Sequence, residues 1–132
     1  MTKKIHVIDD DDTFRLLVNE ALTRLGYSVV ESANAFEAQE VFKRQTPDMV
    51  LLDIMMPGMD GVSLCRAIRS NPATKDIPVI IISALSDSQT LNDALLFGAT
   101  DYLVKPVDVK TLQEKIDKAF RQADARRRVN TP

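Results

Sequence analysis

The sequence predicts an α/β fold in which five parallel strands alternate with five helices. Short apolar runs rich in β-branched residues alternate along the chain with segments of helical periodicity. Two of the runs, Val50 to Leu52 and Val79 to Ile82, contain no alternating polar residues. Uninterrupted apolar runs are typical of strands that are covered on both faces by helices. The predicted architecture is therefore a doubly wound parallel sheet.

Five segments are predicted as strands, and each is followed by a helical segment. The predicted strands are Lys4 to Asp9, Ser28 to Ser32, Met49 to Asp53, Val79 to Ser83 and Asp101 to Val104. Right-handed crossovers between five βα units favour an open, flavodoxin-like sheet with the strand order 2-1-3-4-5. Ligands of such sheets bind beyond the carboxyl ends of the strands. Functional residues are therefore expected at that edge.

Local signals mark the predicted helix ends. Asp11 and Asp12 stand where the first helix begins, and Gly26 follows it as a C′ glycine. One face of this helix carries the apolar residues Phe14, Leu17, Val18, Ala21, Leu22 and Leu25. The later helices have predicted N-caps at Asn34, Asp60, Ser86 and Asp108, and Ser86 is spaced from Gln89 as a capping box.

Composition limits the classes of function. A chain of 132 residues has the length of one ordinary domain. Its 17 basic and 19 acidic residues carry no polyelectrolyte signature, so no direct contact with nucleic acid or membrane is expected. The lone Cys65 cannot form an internal disulfide, and the first residues lack the long apolar run of a signal peptide. A cytoplasmic location is the expectation.

Several predicted strands end in side chains that can carry chemistry. The first ends at Asp9 and Asp10, the third at Asp53 and the fourth at Ser83, and Lys105 lies just beyond the fifth. Three converging carboxylates raise each other's pKa unless a cation offsets their charge, and Mg²⁺ is the hard divalent ion that such a site suggests. A carboxylate nucleophile, a metal, a lysine and a hydroxyl are what transfer of a phosphoryl group onto aspartate needs.

Four blocks of the sequence resemble the signature blocks of response-regulator receiver domains, the chemotaxis-regulator-like modules of two-component signalling. The blocks are Val7 to Asp10, Leu51 to Gly61, Ile82 to Ala84 and Tyr102 to Pro106. They occur in the family's order with βα units between them. The resemblance implies a receiver domain over residues 1–122, followed at 123–132 by a basic tail, helical or disordered, that could be a truncated linker.

The resemblance implies how the acidic residues act. Asp53 would be the phosphorylated residue. Asp10 and Asp53 would bind Mg²⁺ together with the backbone carbonyl of Met55, and Asp9 would assist through water. The metal site implied by the resemblance therefore comprises Asp9, Asp10, Asp53 and Met55.

The resemblance also implies a switch. Ser83 and Lys105 would contact the phosphoryl group, and Tyr102 would move inward when the Ser83 hydroxyl turns toward it. The signal would then appear on the face formed by the fourth helix, the fifth strand and the fifth helix. A cis peptide is implied before Pro106.

The implied partners are those of a signalling relay. A sensor histidine kinase or a phosphotransfer protein would supply the phosphoryl group, and a downstream protein or an output domain would receive the signal. A dimer linked to phosphorylation belongs to the same expectation. The domain would not be an enzyme acting on other substrates, but it would catalyse its own phosphorylation and dephosphorylation.

A phosphatase is the alternative function. The stretch from Asp9 to Thr13 matches the D-x-D-x-T motif of haloacid-dehalogenase-type phosphatases, in which Asp9 and Asp11 would act. Ser83 and Lys105 supply the next two residue types of that family. The family also needs an acidic motif on a later strand, whereas one helix and a tail follow Lys105 here. The alternative also leaves Asp53 without a role.

Two further residues are predicted to have no chemical role. His6 has no second His or Cys at metal-ligand spacing and is interpreted as an ordinary strand residue. Cys65 lies at helical spacing from apolar neighbours and is interpreted as a small core residue.

Overall fold

The computed structural model describes residues 2–55, 61–84 and 88–130, and strands and helices alternate throughout these ranges. The strands are β1 (Lys4–Ile8), β2 (Ser28–Ser32), β3 (Met49–Leu52), β4 (Val79–Ser83) and β5 (Asp101–Val104). The helices are α1 (Asp12–Arg24), α2 (Ala35–Arg44), α3 (Gly61–Ser70), α4 (Ser88–Leu96) and α5 (Val109–Asn130). All strand pairs are parallel, in the order β2-β1-β3-β4-β5. The predicted flavodoxin-like sheet is confirmed.

Two apolar layers cover the two faces of the sheet. Successive side chains of a strand point to opposite faces, so the neighbours Leu51 and Leu52 lie in different layers. The layer containing Leu52 is completed by α2 and α3 and includes Cys65, which is fully buried as predicted. The layer containing Leu51 is completed by α1 and α5. Burial from both sides explains why β3 and β4 are uninterrupted apolar runs.

Three of the predicted helix caps are present in the structure. The side chains of Asp11, Asn34 and Asp108 each accept a hydrogen bond from the backbone N–H three residues onward, at 3.1, 2.8 and 3.1 Å. Gly26 follows α1 with φ +95°, a conformation that favours glycine. The predicted caps at Asp60 and Ser86 lie outside the described residues.

Two strands end one residue earlier than the sequence predicts. β1 ends at Ile8 instead of Asp9, and β3 ends at Leu52 instead of Asp53. Each of these two aspartates accepts a hydrogen bond through its Oδ1 from the N–H two residues onward, at 2.9 Å for Asp9 and 3.0 Å for Asp53. This local bond favours a turn, so the chain leaves the sheet directly after each of these aspartates, whose own N–H groups still donate to the neighbouring strands.

The apolar face of α1 is only partly used by the core. Val18 and Leu22 are buried against the sheet, whereas Leu17 is 60% exposed and Leu25 is 37% exposed. The apolar face of α1 is therefore buried only in part, and Leu17 lies outside the core. This side chain lines an open apolar groove of about 450 Å³ beside the start of α5. The apolar stripe is wider than the surface that the sheet offers to α1.

The last helix extends beyond the predicted domain boundary. α5 continues to Asn130, so residues 123–130 are helical, and a boundary at residue 122 stays a prediction. None of the helices within the described ranges combines the length and the apolar character that crossing a membrane requires.

Candidate functional site

Four side chains with ionisable or hydroxyl groups lie together at the carboxyl edge of the sheet. Asp9 follows β1, Asp53 follows β3, Ser83 ends β4 and Lys105 follows β5. These strands are adjacent and parallel, so their carboxyl ends meet at one edge. The backbone N–H of Lys105 donates to the carbonyl of Ser83 at 2.8 Å, which fixes the chain beyond β5 against the end of β4.

Lys105 forms the electrostatic centre of this edge. Its Nζ lies 2.7 Å from Oδ2 of Asp9 and 3.4 Å from Oδ2 of Asp53. The two carboxylates are almost completely buried, with 1% of Asp9 and 6% of Asp53 exposed. Buried carboxylates need a cation or hydrogen-bond donors nearby, and the ammonium group supplies both.

The two buried carboxylates differ in how their oxygens are engaged. Both oxygens of Asp9 have close partners, the N–H of Asp11 at 2.9 Å and Nζ of Lys105 at 2.7 Å. Asp53 accepts the N–H of Met55 at 3.0 Å through Oδ1, while its Oδ2 has only the longer, 3.4 Å contact to Lys105. Oδ2 of Asp53 is thus the less tightly held oxygen.

Asp9, Asp10 and Asp53 form an acidic cluster in which one ligand atom of each residue lies within 4.8 Å of the others. Asp10 is exposed, in contrast to the other two. Carboxylate oxygens are the ligands that hard divalent cations such as Mg²⁺ prefer, so this set of donors fits that class of ion. The fourth predicted ligand is the carbonyl of Met55, and its role stays a prediction.

Burial and charge shift the pKa values at this edge. Burial raises the pKa of the Asp9 carboxyl, and the Asp53 charge adds to the rise, while Lys105 and the N–H of Asp11 oppose it. The pKa of Lys105 is also raised: burial opposes its charged form, but the hydrogen bond to Asp9 and the charges of Asp9 and Asp53 outweigh that effect. The raised pKa keeps Lys105 cationic. Its single positive charge faces three carboxyl groups, so a further cation would be favourable at this edge.

The two predicted switch residues lie on neighbouring strands. Ser83 is fully buried at the end of β4, and Tyr102 is partly buried in β5, opposite Ile81 in the strand register. The Tyr102 ring packs against the apolar layer that α2 and α3 complete. The Lys105–Pro106 peptide is cis, as the resemblance implies. The movement of Tyr102 stays a prediction.

Two residues of the first helical turn contribute to the edge although the sequence did not single them out for it. Nζ of Lys105 lies 4.2 Å from the centroid of the Phe14 ring, a cation–π contact. Nη1 of Arg15 donates to the carbonyl of Asp9 at 2.5 Å, and Arg15 also forms an ion pair with Asp12. Their position directly after the acidic run is the one signal in the sequence that could have found them.

Comparison with known proteins identifies the family. The sequence model of the response regulator receiver domain family matches residues 5–117 of this chain. The "Probable transcriptional regulator ycf27" of Porphyridium aerugineum is 39% identical over 122 residues, which are 92% of this chain and 50% of that protein. The "Transcriptional regulatory protein CseB" of Streptomyces avermitilis is 40% identical over 124 residues, 92% of this chain and 52% of that protein. The chain thus spans about half the length of these relatives.

Solved structures support the same conclusion. A CheY-like receiver domain protein from Methanospirillum hungatei superimposes with a TM-score of 0.90 at 25% identity, covering 96% of this chain and 99% of that one. The BeF3-activated N-terminal receiver domain of RstA from Klebsiella pneumoniae gives a TM-score of 0.84 at 32% identity, covering 90% and 99%. The sheet order, the acidic edge and these matches together show that the chain belongs to the response regulator receiver domain family.

Proposed function

We propose that this domain accepts a phosphoryl group on Asp53 in a reaction that requires Mg²⁺, and that phosphorylation changes its conformation to pass on a signal. The donor would be a sensor histidine kinase or a phosphotransfer protein. The signal would go to a downstream protein or an output domain. An output domain is supported by the curated relatives, which are named as transcriptional regulators and are about twice as long as this chain.

The observation that carries this proposal is the position of Oδ2 of Asp53. This oxygen lies 3.4 Å from the Lys105 ammonium, and no shorter bond of it is seen within the described residues. Both oxygens of Asp9 are held by close donors, and Asp9 is more deeply buried. Asp10 is exposed, and within the described residues the ion pairs of Lys105 are with Asp9 and Asp53. Of the three carboxylates, Asp53 best combines a partly free oxygen with a nearby cation.

In the proposed reaction, an Asp53 oxygen forms a bond to phosphorus while the bond between phosphorus and the donor atom breaks. Lys105 would bind an oxygen of the transferred group and balance its charge, because its raised pKa keeps it protonated. The Ser83 hydroxyl would donate a hydrogen bond to the same group. Mg²⁺, held by Asp9, Asp10, Asp53 and the Met55 carbonyl, would supply further positive charge for the phosphoryl oxygens.

The signalling step would follow from the new phosphate contacts. A ligand or modification shifts a conformational equilibrium only if it interacts differently with the two states. The phosphoryl group would attract the Ser83 hydroxyl, and Tyr102 on the adjacent strand would move inward. Such a change would alter the face formed by α4, β5 and α5, where a dimer could form. Hydrolysis of the acyl phosphate by the same site would end the signal.

The phosphatase alternative receives no support from these observations. It assigns chemistry to Asp11, but the Asp11 side chain accepts the N–H of Phe14 at 3.1 Å and acts as the N-cap of α1. A cytoplasmic location stays part of the proposal, supported by a single cysteine that is buried and free of disulfide.

Phosphorylation by a small donor tests the proposal. The protein is incubated with acetyl phosphate and Mg²⁺, and its intact mass is measured over time. We expect a single phosphoryl addition that disappears with a chelator and in Asp53→Asn. The matched control is Asp76→Asn, which changes an exposed aspartate at the opposite edge of the sheet. Labelling of Asp53→Asn at the parent rate would refute the proposal.

A further inference from the structure

A polar cleft lies at the edge of the sheet opposite Asp53, where β4 and β5 begin. The cleft has a volume of about 230 Å³ and opens between the end of α3, the segment before β4, the loop before β5 and α5. Three cationic side chains line it, those of Arg69, Lys75 and Arg126, together with the carboxylate of Asp76 and the amide of Gln122. The cleft shares no residue with the acidic edge.

The one carboxylate of this cleft offsets only part of its positive charge. Formally, three positive groups face one negative group. Among the described residues, neither Arg69, Lys75 nor Arg126 forms an ion pair with a carboxylate. Burial lowers the pKa of Arg69, and the nearby charge of Arg126 adds to this effect, while the charge of Asp76 opposes it. Placing like charges together costs free energy that a bound anion would offset.

Hydrogen bonds to backbone carbonyls fix the position of the Arg69 side chain. Its guanidinium donates to the carbonyls of Gly98 at 2.9 Å, Ile77 at 2.5 Å and Lys75 at 3.2 Å. A Cβ at Gly98 would lie 2.6 Å from Cγ of Arg69, and Gly98 has φ +109°, so glycine suits both the loop and the arginine. A fixed cation binds an anion with a smaller loss of side-chain entropy than a mobile one.

We propose that this cleft binds a small phosphate-bearing anion, of the size of phosphate or pyrophosphate. Arginine and lysine are the side chains that recognise phosphate oxygens, by forked hydrogen bonds and by point charge. The volume is below the range of about 300–1,000 Å³ that is usual for drug-sized ligands, which favours a small anion. The proposal is independent of phosphorylation at Asp53.

Binding would connect three parts of the fold. Arg126 belongs to α5, Lys75 to the segment before β4, and Arg69 anchors the loop before β5 through Gly98. An anion that contacts all three cations would tie α5 to that loop. The strongest contacts would come from Arg126 and Lys75, because most donors of Arg69 already serve backbone carbonyls.

Titration with pyrophosphate tests the proposal. The ¹⁵N-labelled protein is titrated in buffer without divalent metal, and amide shifts are followed in the parent and in Asp53→Asn. We expect saturable shifts at Gly98, Thr100 and Gln122 in both proteins, with a Kd of about 1 mM or tighter, the equivalent of roughly 4 kcal/mol. Absence of saturable shifts at these amides would overturn the proposal, whatever the outcome at Asp53.

Charge-neutral variants supply the specificity control. The double variant Lys75→Gln, Arg126→Gln should bind at least tenfold more weakly, which corresponds to about 1.4 kcal/mol. Both side chains are exposed and like charges are removed, so the melting temperature should stay equal or rise. The matched control is Lys118→Gln, an exposed lysine of α5 outside the cleft. Parent affinity in the double variant, or an equal loss in the control, would contradict a specific site.

Discussion

Nζ of Lys105 lies 2.7 Å from Oδ2 of Asp9, an aspartate with 1% of its surface exposed. This ion pair links the segment beyond β5 to the segment beyond β1, although 96 positions separate the two residues in sequence. Lys105 therefore has two functions at the acidic edge. It offsets a buried negative charge in the resting domain, and it is the cation nearest to Asp53.

Removal of Lys105 should destabilise the metal-free domain. Lys105→Met leaves Asp9 buried beside Asp53 without a cation, and we expect the free energy of unfolding to fall by about 2 kcal/mol. This value is below the usual cost of breaking a fully buried pair, because the Lys105 side chain is 19% exposed. Urea unfolding in chelator measures the effect.

Lys115→Met is the matched control for this prediction. Lys115 pairs with Asp101 at 3.1 Å, but both side chains are more exposed, at 34% and 24%. Exposed pairs contribute at most about 1 kcal/mol. If the two variants lose equal stability, Lys105 is not the counterion on which the buried carboxylates depend.

Removal of Asp10 should separate metal binding from stability. Asp10 contributes a third carboxylate to the acidic cluster and is exposed. Asp10→Ala should abolish Mg²⁺ binding, while metal-free stability stays equal or rises because a like charge has been removed. Calorimetric titration with Mg²⁺ and a thermal melt in chelator check the two parts. A clearly lower melting temperature in chelator would contradict this account.

Stability should fall in mild acid because of His6. This side chain is fully buried in β1, its Nε2 lies 2.7 Å from the Ser32 hydroxyl, and burial lowers its pKa from 6.5 to about 4. The unfolded chain therefore binds a proton that the folded state excludes. The contribution to stability is complete above pH 6.5 and is lost as the pH falls from 6.5 toward 4.

The size of the acid effect follows from this shift. Between pH 7.5 and pH 5 the loss should be about 2 kcal/mol. Urea unfolding of the parent and of His6→Leu at both pH values isolates the contribution of His6. The raised pKa of Asp9 changes the stability in the opposite direction, but it does so in both proteins and therefore cancels in the comparison. An identical loss of stability in His6→Leu would assign the pH dependence to other groups.

Ser83 should be needed for the conformational response but not for accepting the phosphoryl group. Ser83→Ala should still be phosphorylated, because Asp53 and Lys105 remain. The amide-exchange changes on α4, β5 and α5 should be smaller than in the parent, because alanine has no hydroxyl group that could bind the phosphoryl group. Hydrogen exchange of both phosphorylated proteins checks this. Changes of parent size would mean that the signal reaches this face by another route.

The sequence predicted the sheet well, because strands buried on both faces leave an unmistakable apolar pattern and the βα alternation permits few topologies. It predicted which residues meet at the acidic edge, since parallel strands end together. It did not predict that Leu17 is exposed, because periodicity defines a helix face without showing how wide a surface the sheet offers. The contact between Lys105 and Phe14 was missed because it joins two segments that are far apart in the sequence.

The cleft around Arg69 was also invisible in the sequence. Its guanidinium is bound mainly by backbone carbonyls, and every residue has a carbonyl, so no residue type marks such partners. Arg69 and Lys75 are close in the sequence, but Arg126 belongs to α5 and meets them only where that helix packs beside the loops before β4 and β5. Clusters of this kind emerge from packing rather than from local pattern.

The identity of the phosphorylated aspartate distinguishes the proposed receiver function from the phosphatase alternative. After brief treatment with acetyl phosphate and Mg²⁺, the protein is digested at acidic pH and the modified residue is located by tandem mass spectrometry. We expect the phosphoryl group on Asp53, with Asp9 and Asp10 unmodified. A phosphoryl group on Asp9, the residue that the phosphatase alternative would use, would contradict the proposed function.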